Sequence, residues 1–279
     1  MLGLLKRLFF VAVSLGYVAV RDTTRAAARL VNPEEPPAPP VVLTYHALQE
    51  HDVTRFEAQM RHLRRRATLV FADDERPLNG RPVVAVTFDD AFQSVYEHAL
   101  PVLARHRIPA TIFAPTGYLG TAPRWIPSAA RSGGRARVMS PELLAMLDAR
   151  LVKIGSHTVT HPHLAELSSH AVHSELAASK SYLERLQGTP VRMLSLPYGS
   201  CSSSVLEEAK TAGYNRVFAN VPVMESRRDE AFVLIGRINV TPEDWPLEFE
   251  LKARGAYDWL SVAIPAKRAV ARLMRHTRS

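Results

Sequence analysis

From Val41 onward, short β-rich runs alternate with longer stretches of helical spacing, and this alternation restricts the chain to a narrow set of folds. Val41–Tyr45, Val83–Phe88, Ala110–Phe113, Leu151–Gly155, Met193–Leu196, Arg216–Ala219 and Val233–Ile238 read as strands. Between them, Arg55–Arg66, Phe92–His106, Glu142–Ala149, Ser169–Leu186 and Ser203–Ala212 read as helices. Ser140-Pro141-Glu142 marks a helix start, with Ser140 as cap and proline at the first helical position. Such alternation builds a parallel α/β sheet, closed or open. In these sheets a ligand sits at the C-terminal ends of the strands, so the loops there are where chemistry belongs.

Four of those loops are chemically loaded. Val41–Tyr45 ends in His46, and Val83–Phe88 ends in Asp89-Asp90. Leu151–Gly155 runs into Ser156-His157-Thr158-Val159-Thr160-His161-Pro162, and Met193–Leu196 ends in Pro197-Tyr198-Gly199. A parallel sheet gathers all four at one rim. Two adjacent carboxylates in a dry pocket raise each other's pKa, and a divalent cation resolves this by binding one and leaving the other as a base. His157 and His161 are four apart, a spacing that lets both imidazoles face one point. Two histidines, a carboxylate and an open position form a common catalytic metal arrangement. Each piece alone has a plainer reading: a capping loop, a surface histidine pair, a structural histidine, a turn. Their coincidence at four strand ends favours the metal site.

The first forty residues are built differently. Lys6 and Arg7 precede an uncharged, largely apolar stretch from Leu8 to Val20, which Arg21 closes. That is the pattern of a signal segment. A spanning helix needs about 20 apolar residues, so this one spans only if Leu2 to Leu5 contribute and the two cations snorkel. The Ala26–Ala28 cleavage-like sequence is separated from the apolar run by Arg21, Asp22 and Arg25, which favours an uncleaved anchor over a cleaved peptide. A buried or interfacial amphipathic helix is the remaining reading. Pro33 to Pro40 reads as a polyproline spacer of roughly 25 Å. The net charge of +8 suits an acidic polymer, an anionic membrane or nucleic acid. No nucleic-acid motif is present, so no nucleic-acid partner is expected. The single Cys201 excludes an intramolecular disulfide and a zinc site of several cysteines.

Thr87-Phe88-Asp89-Asp90 and His157-Thr158-Val159-Thr160-His161-Pro162 resemble the T-F-D-D and H-[ST]-x-x-H motifs of the polysaccharide deacetylases with a NodB-homology domain, carbohydrate esterase family 4. Leu196-Pro197-Tyr198-Gly199 is similar to a third motif, and the resemblance runs from Val41 to Ile238. It implies a distorted, incomplete (β/α) barrel of about seven parallel strands holding a divalent ion, zinc first and cobalt or nickel as alternatives. Residue by residue, it implies Asp90, His157 and His161 as metal ligands and Asp89 as general base. The backbone N–H of Tyr198 would hold the oxyanion, and Pro197 and Tyr198 would line the substrate.

This chain departs from that pattern in three places. Ser195 stands where many members carry an arginine that orients the base, and Ala91 follows Asp90 where glycine is usual. There is also no C-terminal Leu-x-x-His motif: after His173 the only histidine is His276. The biofilm-type poly-N-acetylglucosamine deacetylases look similar in this respect, their acid coming from an N-terminal Tyr-His that Tyr45-His46 matches. By that resemblance His46 is the general acid; Arg237, at the end of its strand, is a candidate for the missing arginine beside Asp89. Thr121 to Arg137 reads as a lid whose Trp125 stacks on a sugar face, or as a structural anchor.

The expected organisation is a signal anchor or peptide over 1–30, a linker over 31–40, a deacetylase domain over 41–245 and a basic helical extension over 246–279. The implied activity is metal-dependent removal of N-acetyl groups from a polysaccharide, foremost an exopolysaccharide containing N-acetylglucosamine. The implied location is outside the cytoplasmic membrane, either anchored through the N-terminal segment or secreted. A non-catalytic glycan-binding member of the fold, or a deacetylase of peptidoglycan or an O-acetylated sugar, is the alternative.

Overall fold

Side chains alternate between the two faces of each strand, and the two sets form separate cores. The computed structural model describes residues 2–32, 39–74, 81–126, 136–220 and 232–263. Strand β1 (Val41–Tyr45) pairs in parallel with β3 (Val83–Phe88), from Val41↔Val84 to Tyr45↔Phe88. Beyond β3 come β4 (Ala110–Ala114), β5 (Val152–Ser156), β6 (Met193–Ser195), β7 (Arg216–Ala219) and β8 (Val233–Gly236), each parallel to its predecessor. The last strand, β9 (Ile238–Asn239), returns to the free edge of β1. The result is an incomplete, nearly closed α/β barrel with helices around it.

Two differences from the expected strands have clear causes. The run Val233–Ile238 is not one strand, because the chain changes partners at Arg237. Gly236 is still in register with Ala219 of β7, whereas Ile238 is in register with Leu43 of β1. A single residue therefore bridges the two ends of the sheet. Strand β2 (Thr68–Val70), a three-residue piece beside the N-terminal half of β3, was not expected. Three residues after an arginine run carry too little alternation to register as a strand.

The outward set packs against helices. Leu43, Tyr45, Val84, Val86, Phe88, Ile112, Leu194 and Val217 belong to one large buried cluster. It includes Phe56, Met60 and Leu63 of α2 (Val53–Arg66), Leu103 of α3 (Leu100–His106), Leu144 of α4 (Pro141–Ala145) and Leu176 and Leu183 of α5 (Ser169–Gln187). It also includes Val205 of α6 (Ser203–Thr211) and Phe249 of α7 (Pro246–Ala253). Serines start three of these helices as expected for N-caps: the Ser140, Ser168 and Ser202 side chains accept from the Leu143, Ala171 and Val205 N–H groups. The inward set is smaller. Val42, Val70, Ala85, Phe113, Met193 and Phe218 fill the barrel, with the Phe113 and Phe218 rings 5.1 Å apart. The inward positions above this plug reach the C-terminal rim.

The N-terminal segment is one long helix, which we number α0 (Leu2–Val31) to keep it apart from the barrel helices. Its Gly3–Ala28 span is long and apolar enough to cross a membrane by length and composition. One stripe of this helix lies on α7 and the turn after it. Val11, Ser14 and Val18 are buried there, Arg7 pairs with Glu248, Asp22 with Arg254, and Ser14 accepts from the Trp259 indole at 2.9 Å. The other side exposes Leu4, Leu5, Leu8, Phe9, Leu15 and Val20. Residues 33–38 of the expected spacer, 127–135 of the expected lid and 264–279 of the basic extension lie outside the described residues.

Gly155 has no room for a side chain. A Cβ there would meet the Phe113 ring at 2.5 and 2.6 Å and the Met193 carbonyl oxygen at 3.1 Å. Gly155→Ala is therefore expected to displace the ring that plugs the barrel and to destabilise the fold by about 1–3 kcal/mol, read from denaturant midpoints.

Candidate metal centre

Alternation carries straight from the strands into the rim. Tyr45 and Phe88 point outward, stacked with centroids 5.5 Å apart, and Tyr45 Oη donates to Gln59 at 2.8 Å. The next residues, His46 and Asp89, therefore turn to the barrel mouth. The Asp89 N–H still bonds to the Tyr45 carbonyl at 3.0 Å. Asp90 and Ala91 then take left-handed backbone angles, φ 68° and 46°. For an L-residue this costs about 1–2 kcal/mol, which explains why glycine suits position 91. Among the described residues six non-glycines have positive φ, and five are here: Asp90, Ala91, Thr158, His161 and Tyr198. Strain of this kind persists only where its surroundings fix it.

The histidine loop shows how it is fixed. Glu175 of α5 accepts from the Val159 and Thr160 N–H groups, both at 2.8 Å, and from the Thr160 hydroxyl at 2.7 Å. The His161 N–H donates to Thr158 Oγ1 at 3.0 Å. Thr116 and Gly117 N–H groups bond to the Thr158 and Val159 carbonyls. Together these bonds hold His157 and His161 on one side of the mouth.

Asp90 Oδ1 lies 3.6 Å from His157 Nε2 and 3.3 Å from His161 Nε2, and one ligand atom from each residue falls within 4.8 Å of the others. All three side chains are buried. His157 Nδ1 is 2.8 Å from the Ser195 carbonyl, which assigns the proton to that nitrogen and leaves Nε2 as a lone-pair donor. Burial pushes His157 down to about 4 and His161 to about 3, so both are neutral imidazoles near neutral pH. Burial, then the adjacent Asp89 charge, pushes Asp90 up to about 8. Asp90 Oδ1 is buried with no hydrogen-bond partner. An orphaned carboxylate oxygen facing two neutral imidazoles fits a divalent cation, which would supply the missing partner.

Asp89 has the opposite surroundings. Arg237 Nη1 and Nη2 donate to its two oxygens at 2.8 and 2.7 Å, with both side chains fully buried. Burial alone would raise the Asp89 pKa, but the guanidinium and nearby histidines hold it well below the usual carboxylate range. Arg237 is itself held by Ser195 Oγ at 2.8 Å and by Asn220 Oδ1, and its Cζ lies 5.4 and 5.9 Å from the Phe113 and Phe218 rings. The small Ser195 leaves the space that this guanidinium fills. His46 stands at the end of β1, half-buried and within electrostatic reach of Asp89 and Arg237; burial is the main cause that lowers its pKa.

Trp125 lies flat on His161, with centroids 4.1 Å apart and planes at 14°. Tyr198 meets His161 edge-on at 4.7 Å, stacks on His163 at 3.9 Å and keeps an exposed ring, while Pro197 before it is buried. The structure thus brings every expected site residue to one mouth. It adds Asn220 and Glu175, which sequence reasoning missed. Asn220 follows a strand end, β7, so the rule that flagged the other loops applied to it as well. Glu175 sits mid-helix and gave no signal.

A parallel barrel with an ionised carboxylate beside an Asp-His-His cluster in its mouth is the architecture of a hydrolase centre. The chain belongs to the polysaccharide deacetylase family: residues 78–217 match that family's model. The Bacillus subtilis protein YxkH, itself assigned to the polysaccharide deacetylases, is 27% identical over 222 residues, 75% of this chain and 74% of its own length. A poly-beta-1,6-N-acetyl-D-glucosamine N-deacetylase of Staphylococcus aureus is 26% identical over 144 residues, 49% of this chain but only 47% of that enzyme. Among solved structures, IcaB from Ammonifex degensii superposes with a TM-score of 0.61 at 24% identity, covering 76% of this chain and 96% of that one. That likeness shows a shared fold. His46 and Arg237 lie outside the matched segment, one on each side.

Two outcomes follow from the electrostatics. Arg237→Met leaves Asp89 charged, buried and unpaired, and should destabilise by about 3–5 kcal/mol, with Asp89→Asn in the same chain recovering part of the loss; denaturant midpoints of the cycle test this. Asp90, whose folded pKa lies above its ordinary value, contributes stability that is lost as pH rises through about 8. Metal-free protein should therefore lose thermal stability between pH 6.5 and 8.5, roughly the window above imidazole titration, and a divalent ion should abolish that loss in a melting series.

Proposed function

We propose that the protein is a metal-dependent N-deacetylase acting on a polysaccharide outside the cytoplasmic membrane, with residues 41–245 as its catalytic domain. The observation that carries this reading is the contrast between two adjacent carboxylates. Asp89 is held ionised by Arg237, while Asp90 faces His157 and His161 with an unpartnered oxygen. One is prepared as a base and the other as a ligand.

In the proposed mechanism Asp90, His157 and His161 would hold a divalent ion, zinc by preference and cobalt or nickel as alternatives, which would polarise the acetamide carbonyl and acidify water. Asp89 takes the proton of the attacking water. The guanidinium aims both carboxylate oxygens and holds Asp89 ionised, ready to accept that proton. The Gly199 and Ser200 N–H groups close the Pro197–Gly199 turn onto the Leu196 and Pro197 carbonyls. That leaves the Tyr198 N–H to stabilise the developing oxyanion. His46, at the end of β1, delivers a proton to the leaving amine. The nearby Asp89 charge favours its protonated form against burial, and general acid catalysis of this kind contributes about 10²–10⁴-fold.

The exposed Tyr198 ring and buried Pro197 form the substrate-facing wall. An N-acetylglucosamine exopolysaccharide is the proposed polymer, supported by the Staphylococcus aureus relative and by an acid drawn from the strand before the matched segment. Helix α0 is the proposed membrane attachment, supported by its apolar length and exposed leucine face.

The test is acetate release from an N-acetylglucosamine oligomer by chelator-stripped protein resupplied with zinc, cobalt or nickel. Release should require the metal, fall by 10²-fold or more in His46→Ala (~10²–10⁴ for a lost acid) and be abolished in Asp89→Asn. Binding of metal and glycan without release from N-acetylated, O-acetylated or peptidoglycan substrates would replace this reading with that of a glycan-binding protein. Release from the O-acetylated or peptidoglycan substrate alone would move the substrate assignment.

A further inference from the structure

The two imidazoles of the candidate metal centre are held by different means. His157 has the usual arrangement, its second ring nitrogen 2.8 Å from a backbone carbonyl. His161 has no such acceptor: its Nδ1 is buried and unpartnered. Its orientation comes from rings instead. Trp125 covers one face at 4.1 Å and 14°, and Tyr198 abuts it at 74°.

Trp125 is in turn braced. Tyr118 meets it edge-on at 4.8 Å, from a turn, Thr116–Tyr118, that hydrogen-bonds to the histidine loop. That turn is pressed so close that a Cβ on Gly117 would stand 2.8 Å from the Val159 carbonyl oxygen. The indole Nε1 is buried and has no hydrogen-bond partner.

We propose that Trp125 is a positioning residue of the metal centre, its ring fixing the plane of His161. This differs from the sugar-stacking role that is one of the two sequence readings, since one face of the indole lies on His161. The inference rests on the reading of Asp90, His157 and His161 as metal ligands.

The test uses the full chain, stripped with chelator and titrated with zinc against a chromophoric competitor, and in parallel loaded with cobalt for its visible spectrum. Trp125→Ala, which removes the ring, should weaken zinc binding by about 10–100-fold and shift the cobalt bands. Trp125→Phe, which keeps a smaller ring, should fall between it and the parent. Unchanged zinc affinity and an unchanged cobalt spectrum in both variants would overturn the proposal, and a raised KM for oligosaccharide beside them would assign Trp125 to substrate. His161→Ala separates the two levels: if it binds zinc as tightly as the parent, the metal-centre reading itself has failed.

Discussion

A buried guanidinium facing a buried carboxylate is an expensive thing to make, and the architecture of this barrel is arranged around that cost. Moving two charges out of water carries a penalty of several kcal/mol per ion, recovered only when the geometry is good and the remaining donors are satisfied. Arg237 meets both conditions nearly in full. It gives two parallel bonds to Asp89, reaches Ser195 and Asn220 with the same terminal nitrogen, and lies above two phenylalanine rings that exclude water from below. Its Nε alone is left without a partner. The residue also stands where the sheet changes from β7 to β1, so the ion pair and the near-closure of the barrel are one event.

The candidate metal centre follows from the same constraint. With Asp89 committed to Arg237, its negative charge becomes a fixed part of the surroundings of Asp90. Asp90, buried and beside a like charge, is then stable only as a neutral acid or as a ligand to a cation. The backbone reinforces the division of labour, since the left-handed turn at Asp90 and Ala91 sends adjacent side chains to different partners. On the opposite side of the mouth, Glu175 plays the part that Arg237 plays for Asp89, anchoring a loop whose own conformation is costly.

Much of this was legible in the chain, for reasons that differ from residue to residue. The strands β1, β3 and β7 stand where β-branched and aromatic alternation places them, because burial on both faces leaves few other ways to use such runs. His46, Asp89, Asp90, His157, His161 and Tyr198 were visible because a parallel sheet collects strand ends. Arg237 could be read only as a strand-end cation and a candidate for the missing arginine; its bidentate grip depends on a partner 148 residues earlier, which no local pattern encodes. The same holds for Trp125, whose stacking on a histidine is a product of loop packing. Helix α0 shows the limit from the other side: its apolar length is plain in sequence, whereas the stripe that meets Glu248, Trp259 and Arg254 exists only once α7 is in place.

The position of Arg237 has a consequence for how the protein comes into being. A growing chain makes both aspartates, both loop histidines and the Pro-Tyr-Gly turn long before it makes the segment Val233–Asn239. Until that segment docks, Asp89 has no counter-charge and the mouth is open along one side. The Asp89–Arg237 pair can form only once that segment is in place, in the same contact that joins the two edges of the sheet. A copy truncated before that segment would carry both aspartates and both histidines, but Asp89 would lack its counter-charge.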